Sequence, residues 1–267
     1  MERDELYSAV REKERSLSTA FPALMSKVYT WMALALVITG MTAYGFAATG
    51  LTLTIITNRV FFWGLIIAEF ALVFSISGAI HRMSLLTATL LFILYSAING
   101  AMLSSIFYAF TMSSIASVFF ITAGTFGVMA AVGYFTKSDL TSMGKILFMA
   151  LIGLVIATVV NLFMQNPAFD LILSYVGVLI FVGLTAYDSQ KIKQMMLQCD
   201  EVNESTQKLA VLGSLTLYLD FINLFLYLLR IFGDRKLRYT GYTLLIISRN
   251  QKEPFICGSF RFFIVKS

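Results

Sequence analysis

The sequence predicts an all-α fold: a polytopic membrane protein whose seven transmembrane helices form a bundle with the last helix central. Three observations predict it. Of the 267 residues, 58% are hydrophobic and only 13% charged, where a soluble domain carries about 25% charged residues. Between residues 28 and 136 only Arg59, Glu69 and Arg82 carry a charge. Seven apolar runs, 28–48, 60–80, 84–107, 114–135, 146–165, 170–188 and 209–232, approach the ~20 residues that cross a ~30 Å hydrocarbon core. Unbroken runs without strict alternation mean helices rather than a barrel, because a helix satisfies its own backbone in lipid.

The N-terminal segment, 1–27, mixes both signs of charge. It lacks the purely basic n-region of a cleavable signal, so the first run is expected to be retained. It also supplies Arg3, Arg11, Lys13, Arg15 and Lys27. Arg82 follows the second run, Lys137 and Lys145 the fourth, and Lys191, Lys193 and Lys208 the sixth. The opposite links hold only Arg59. Lys and Arg collect on the cytoplasmic side, so the N-terminus is expected there. Seven crossings would then place the C-terminus outside, although Arg235, Lys236 and Arg238 follow the last run. Either the earlier loops dominate or one segment is re-entrant; seven crossings are the expectation.

Small residues four apart, Gly64/Ala68, Ala97/Ala101 and Gly153/Ala157, are candidate close-packing points between helices. The transmembrane domain is expected over 28–233. Residues 234–267 show no helical period and are expected to lie outside the fold. The net charge of +5 carries no nucleic-acid signal, since eight of the 20 Lys and Arg lie at or beyond Arg230.

Candidate chemistry centres on two carboxylates. Asp220 sits in the middle of the seventh run and Asp188 closes the sixth. A charged Asp at a helix centre costs about 2.5–3.5 kcal/mol even on insertion scales, so it calls for a partner, a proton or an ion. Gly213, Thr216, Asp220, Asn223 and Tyr227 recur at spacings of three or four and form one polar stripe, which should face a bundle interior or a watery cavity rather than lipid. The bland alternative is a satisfied hydrogen-bond network. For Asp188 it is an interfacial pair with Lys191 and Lys193. Glu69, mid-way along the second run, is equally a neutral hydrogen-bonded Glu or a second polar site. Arg82 reads as a topology-setting arginine that could neutralise Asp188. Asn99 and Asn161 read as helix–helix glue.

Several chemistries are excluded. The single histidine, His81, cannot build a zinc protease. Cys199 and Cys257 form no CxxC pair. There is no phosphate-binding Gly-rich loop, no hydrolase elbow and no lysine in the last run. No enzyme signature is present and no cofactor is expected.

At AYDSQKIK (186–193) and LYLDFINLFLYLLRIFG (217–233) the chain resembles the Bax inhibitor family, and the resemblance covers about residues 20–233. It implies a pH-sensitive calcium leak channel of seven helices, in a bacterial plasma (inner) membrane. By motif the pH-sensing and calcium-binding aspartates fall on Asp188 and Asp220, and an arginine that helps close the pore falls on Arg82. Glu69 matches an acidic position on the second helix, and Asn223 and Thr216 extend the polar site. The implied partners are calcium ions, protons and the bilayer, with other membrane proteins as candidates. Relatives described as regulators supply the rival reading: a non-transporting protein that binds a membrane protease or a cell-death factor. A proton-coupled transporter is a third reading, disfavoured by the absence of proline from the seven runs.

Calcium suits this site, because it takes six to eight oxygen ligands and the runs are poor in thiol and imidazole. Two adjacent carboxylates cannot both ionise cheaply and titrate as a pair. One difficulty is geometric. With Asp188 at the end of its run, Asp220 lies about 11 residues, or ~16 Å, into the next.

Overall fold

The structure, a computed structural model, describes residues 2–199 and 201–236. Among these the chain forms nine helices: α1 (Glu2–Thr49), α2 (Leu51–Thr57), α3 (Arg59–Ala79), α4 (Leu85–Leu103), α5 (Ile106–Ala109), α6 (Met112–Phe135), α7 (Thr141–Met164), α8 (Pro167–Leu197) and α9 (Glu204–Phe232). Seven are long and apolar enough to cross a membrane, one for each predicted run.

Short polar residues set where the helices begin. Asn58 accepts from Val60 N and Phe61 N to start α3. Ser84, Thr111 and Asn166 do the same for α4, α6 and α8, with Pro167 at the first turn of α8, where its missing N–H costs nothing. Asn203 and Thr206 form a reciprocal capping box on α9.

Three boundaries differ from the sequence expectation. The first helix begins far before residue 28 and continues through Pro22. The sixth run continues nine residues past Asp188, to Leu197, because the polar stretch Ser189–Gln198 packs against the bundle instead of leaving it. The seventh begins at Glu204, at its cap, rather than at 209.

Helix α9 is the axis of the bundle and packs against α1, α4, α6 and α8; α3 lies outside α4, and α7 outside α8. From Leu215 to Leu229 every residue of this helix but Thr216 is buried inside the protein. Tyr218 anchors it: its Oη lies 2.7 Å from Thr39 Oγ1 and accepts from Asn99 Nδ2. Phe92 and Tyr95 pack edge-to-face on the Tyr218 ring. Asn99 is the helix glue the sequence suggests. Phe221 meets Phe119 and Phe126 of α6 edge-to-face. The outer surface is apolar, with Phe120, Phe135, Phe163 and Leu179 exposed, as lipid contact requires.

Close helix approach does not occur at the glycines of two predicted small pairs, Gly64/Ala68 and Gly153/Ala157. A Cβ added at Gly64 or Gly153 would meet nothing within 4 Å. The tight crossings use other glycines. One is Gly133 of α6 against the Ala186 backbone of α8; another is Gly100 of α4, where an added Cβ would lie 2.5 Å from Thr39 O in α1.

Polar contacts sort the links onto two ends. At one end Lys27 donates to Gln207 (2.6 Å), Lys208 to Met83 O (3.1 Å), and Gln190 Nε2 to Ser138 O (2.8 Å). At the other, Thr111 N donates to Asp234 O (3.1 Å), Lys236 N to Ala109 O (3.0 Å), and Arg230 pairs with Asp170 (2.9 Å). The N-terminal segment and the end of α9 are therefore on opposite faces, as seven crossings require. Residues 234–236 belong to the fold, correcting the expected boundary at 233; residues 237–267 lie outside the described residues.

Candidate functional site

Two contacts fix how α8 lies against α9. A Cβ on Gly213 would stand 3.2 Å from Ile192 Cγ2, and one on Gly177 2.7 Å from the Tyr227 ring. The helices are antiparallel, and both pairs give nearly the same register. Phe181 reinforces it by stacking on Tyr227 with ring centroids 5.8 Å apart.

The aspartates follow from this register. Asp220 lies seven residues from both Gly213 and Tyr227, so it is on the stripe of α9 that faces α8. Asp188 lies seven residues after Phe181 and four before Ile192, so it is on the stripe of α8 that faces α9. Counting inward, Asp188 is four residues from the Ile192–Gly213 level and Asp220 is seven. At 1.5 Å per residue they stand ~5 Å apart along the axis, about one turn. Both are buried, with 1% and 0% exposure. The difficulty posed by the sequence disappears because α8 runs deeper than its apolar stretch.

The alternative reading of Asp188, an interfacial pair with Lys191 and Lys193, does not describe this arrangement. Lys191 is exposed, and Lys193 donates to Tyr134 O at 2.6 Å, on α6. Thr216 and Asn223 flank Asp220 on α9. Thr216 Oγ1 donates to Leu212 O (3.1 Å) and Asn223 Nδ2 to Leu219 O (2.8 Å). Asn223 thus spends a donor on its own helix, leaving its carbonyl oxygen as the end suited to a cation.

The other candidates lie elsewhere. Glu69 is fully buried on α3, which packs chiefly on α4, so it is outside the α8–α9 interface. Arg82 is exposed in the turn between α3 and α4, and among the described residues it makes no ion pair. Asn161 donates to Asp170 (3.4 Å) and accepts from Asn166 N (3.3 Å), joining α7 to the start of α8. Among the described residues no three His, Cys, Asp or Glu side chains gather into a metal centre. A cation at the aspartates would need carbonyl, amide or water oxygens as well.

The sequence reading missed two features. Tyr218 gave no signal beyond its place in an apolar run. The Arg230–Asp170 pair, which closes the far end of the α8–α9 interface, had one: both charges sit at run ends on the same expected side.

Comparison with known proteins places this chain among membrane proteins of one kind. The family described as "Inhibitor of apoptosis-promoting Bax1" matches residues 22–236. An inner membrane protein of Escherichia coli, YbhL, is 51% identical over 214 residues, covering 79% of this chain and 92% of the relative. An uncharacterized protein of Borreliella burgdorferi is 46% identical over 213 residues, covering 79% and 92%. One of Rickettsia prowazekii is 40% identical over 228 residues, covering 84% and 94%.

Proposed function

The chain belongs to the Bax inhibitor family, and from that premise we propose that it is a pH-sensitive calcium leak channel of a bacterial inner membrane, working through Asp188 and Asp220. The observation that carries this reading is the α8–α9 register, which sets two buried carboxylates on facing stripes, about one turn apart along the axis. A structural network needs no such pair, because burying one carboxylate beside another penalises charge on both.

The mechanism follows from that penalty. Two adjacent buried carboxylates hold one proton between them and titrate as a unit. While the proton is shared, α8 and α9 stay closed on each other. Its loss leaves two negative charges that either separate the helices or draw in a cation. Calcium accepts both carboxylates together with carbonyl oxygens, the Asn223 amide oxygen and water. Proton and calcium thus compete for one site, and flux depends on both. Arg82 is exposed in the α3–α4 turn, on the same face as the α8–α9 link, and it would act as gate partner by swinging inward from the α3–α4 turn. The N-terminus is cytoplasmic in this reading, because the end that holds Lys27, Arg82, Lys137 and Lys208 carries most of the positive charge. No cofactor and no enzymatic step are involved.

The test is calcium flux into liposomes holding only this protein, between about pH 6 and 8, for wild type and Asp220→Asn. A pH-dependent flux that the substitution alters supports the channel and the sensor. A flux whose pH dependence ignores Asp220→Asn overturns the aspartate mechanism. No flux from folded wild type favours the regulator that binds other membrane proteins.

A further inference from the structure

Helices α1 and α6 both lean on α9 but share little contact with each other. Between them lies a groove of about 650 Å³, with Met25, Met32, Phe126 and Ala130 among its walls. It stays open because the facing positions, Ala33, Gly127 and Ala131, are too small to fill it. At one end Phe21 stacks on Tyr134 with centroids 6.2 Å apart, bridging the two helices. We propose that this groove binds one acyl chain of an anionic phospholipid, whose phosphate is held by Lys193 and Lys137.

Three observations select that occupant. The lining is apolar apart from the hydroxyls of Ser26, Tyr29 and Tyr134. Along α6 it runs from Phe126 to Phe135, nine residues or ~14 Å, and along α1 from Pro22 to Leu36, fourteen residues or ~21 Å, which is about half to two-thirds of the ~30 Å hydrocarbon core. That is the reach of one acyl chain, whereas a partner helix would need the full thickness. Its bridged end is basic. Lys193 Nζ donates to Tyr134 O and lies 5.0 Å from the ring centroid, keeping two further N–H donors. Lys137 is exposed two residues beyond Phe135. The nearby carboxylate, Asp139, is occupied in accepting from Thr141 N (2.9 Å) and Oγ1 (2.6 Å).

In a bilayer the chain gains nothing from leaving one apolar surface for another. Selectivity therefore comes from the headgroup, at roughly fivefold for each lysine beside an anionic phosphate.

The experiment places the full-length protein in nanodiscs with equal dioleoyl-phosphatidylglycerol and dioleoyl-phosphatidylcholine, releases it, and counts retained lipids by native mass spectrometry. Wild type should keep phosphatidylglycerol over phosphatidylcholine by about tenfold or more. Gly127→Trp fills the groove, and a Cβ there meets nothing within 4 Å; it should lose the retained lipid while keeping the thermal midpoint of lipid-free wild type. Ala131→Leu repeats this block should the tryptophan disturb folding. Lys193→Gln should keep a lipid but lose about fivefold of the preference. Equal retention by wild type and the blocked variants, or no headgroup preference in wild type, overturns the proposal. So does a dimer that the blocked variants abolish, which would make the occupant a second copy of this chain.

Discussion

Along the bundle axis Asp188 and Asp220 lie about one helical turn apart, on the facing stripes of α8 and α9, at a level fixed by Ile192 against Gly213 and by Gly177 against Tyr227. Groups that share a proton are one titrating unit, so neither keeps its own pH response once the other is neutralised. Asp188→Asn and Asp220→Asn should each shift or abolish the pH midpoint of calcium flux. The double variant should resemble the singles rather than add to them. Independent sites would give additive shifts, and additivity in the liposome assay would separate the two residues.

Asp139 offers a control outside the membrane. It lies in the link just before α7, and hydrogen bonds from Thr141 hold its carboxyl below the usual aspartate range. A depressed pKa contributes stability that is complete above the ordinary aspartate value and lost only as pH falls through the lower, folded one. Asp139 therefore stays ionised throughout the range near neutrality. Asp139→Asn should leave the pH profile of flux unchanged. A shift of the midpoint would move the sensor from the α8–α9 interface to the link between α6 and α7.

The helices were legible because lipid exposure writes itself as long apolar runs, and Asp220 stood out against such a run. The depth of Asp188 was not legible. Hydropathy falls after Tyr187, yet Ser189, Gln190 and Ile192 are buried against neighbouring helices, and α8 continues to Leu197. Burial against protein, unlike burial in lipid, tolerates polar side chains that find partners, as Gln190 does at Ser138 and Leu140. The close crossings were hidden for a related reason. Small residues recur throughout these helices, and only tertiary packing decides that Gly100 and Gly133 are in close contact while Gly64 and Gly153 are not.

Gly133 tests that packing. A methyl group at this position would collide with the Ala186 backbone, two residues before Asp188. Backbone cannot swing aside as a side chain does, so α6 and α8 must move apart. Gly133→Ala should destabilise the protein by about 1–3 kcal/mol, the usual cost of overpacking. It should also disturb flux through the displaced aspartate. Gly127→Ala, on the same helix but in open space, should be neutral or slightly stabilising, since alanine is the better helix former. Thermal unfolding in detergent would compare them, and equal midpoints for the two variants would mean that the crossing is looser than described.

Arg230 and Asp170 close the α8–α9 interface at its far end, and the pair is asymmetric. The arginine side chain is 7% exposed, the aspartate 38%. Asp170→Ala takes the carboxylate away from a guanidinium that water reaches poorly, although the Tyr227 ring, 5.8 Å away, offsets part of the loss. Arg230→Met leaves a carboxylate that water can solvate and fills the vacated space with an apolar chain. The aspartate variant should therefore cost more, about 1–3 kcal/mol against about 1 or less, both below the range for fully buried pairs because Asp170 reaches water. Because Tyr227 also packs on Gly177, the loosened end would free α9 to slide along α8. Asp170→Ala should then shift the pH midpoint of flux while Arg230→Met largely preserves it. The reverse order in thermal unfolding would show that the arginine's packing, rather than its charge, secures this end.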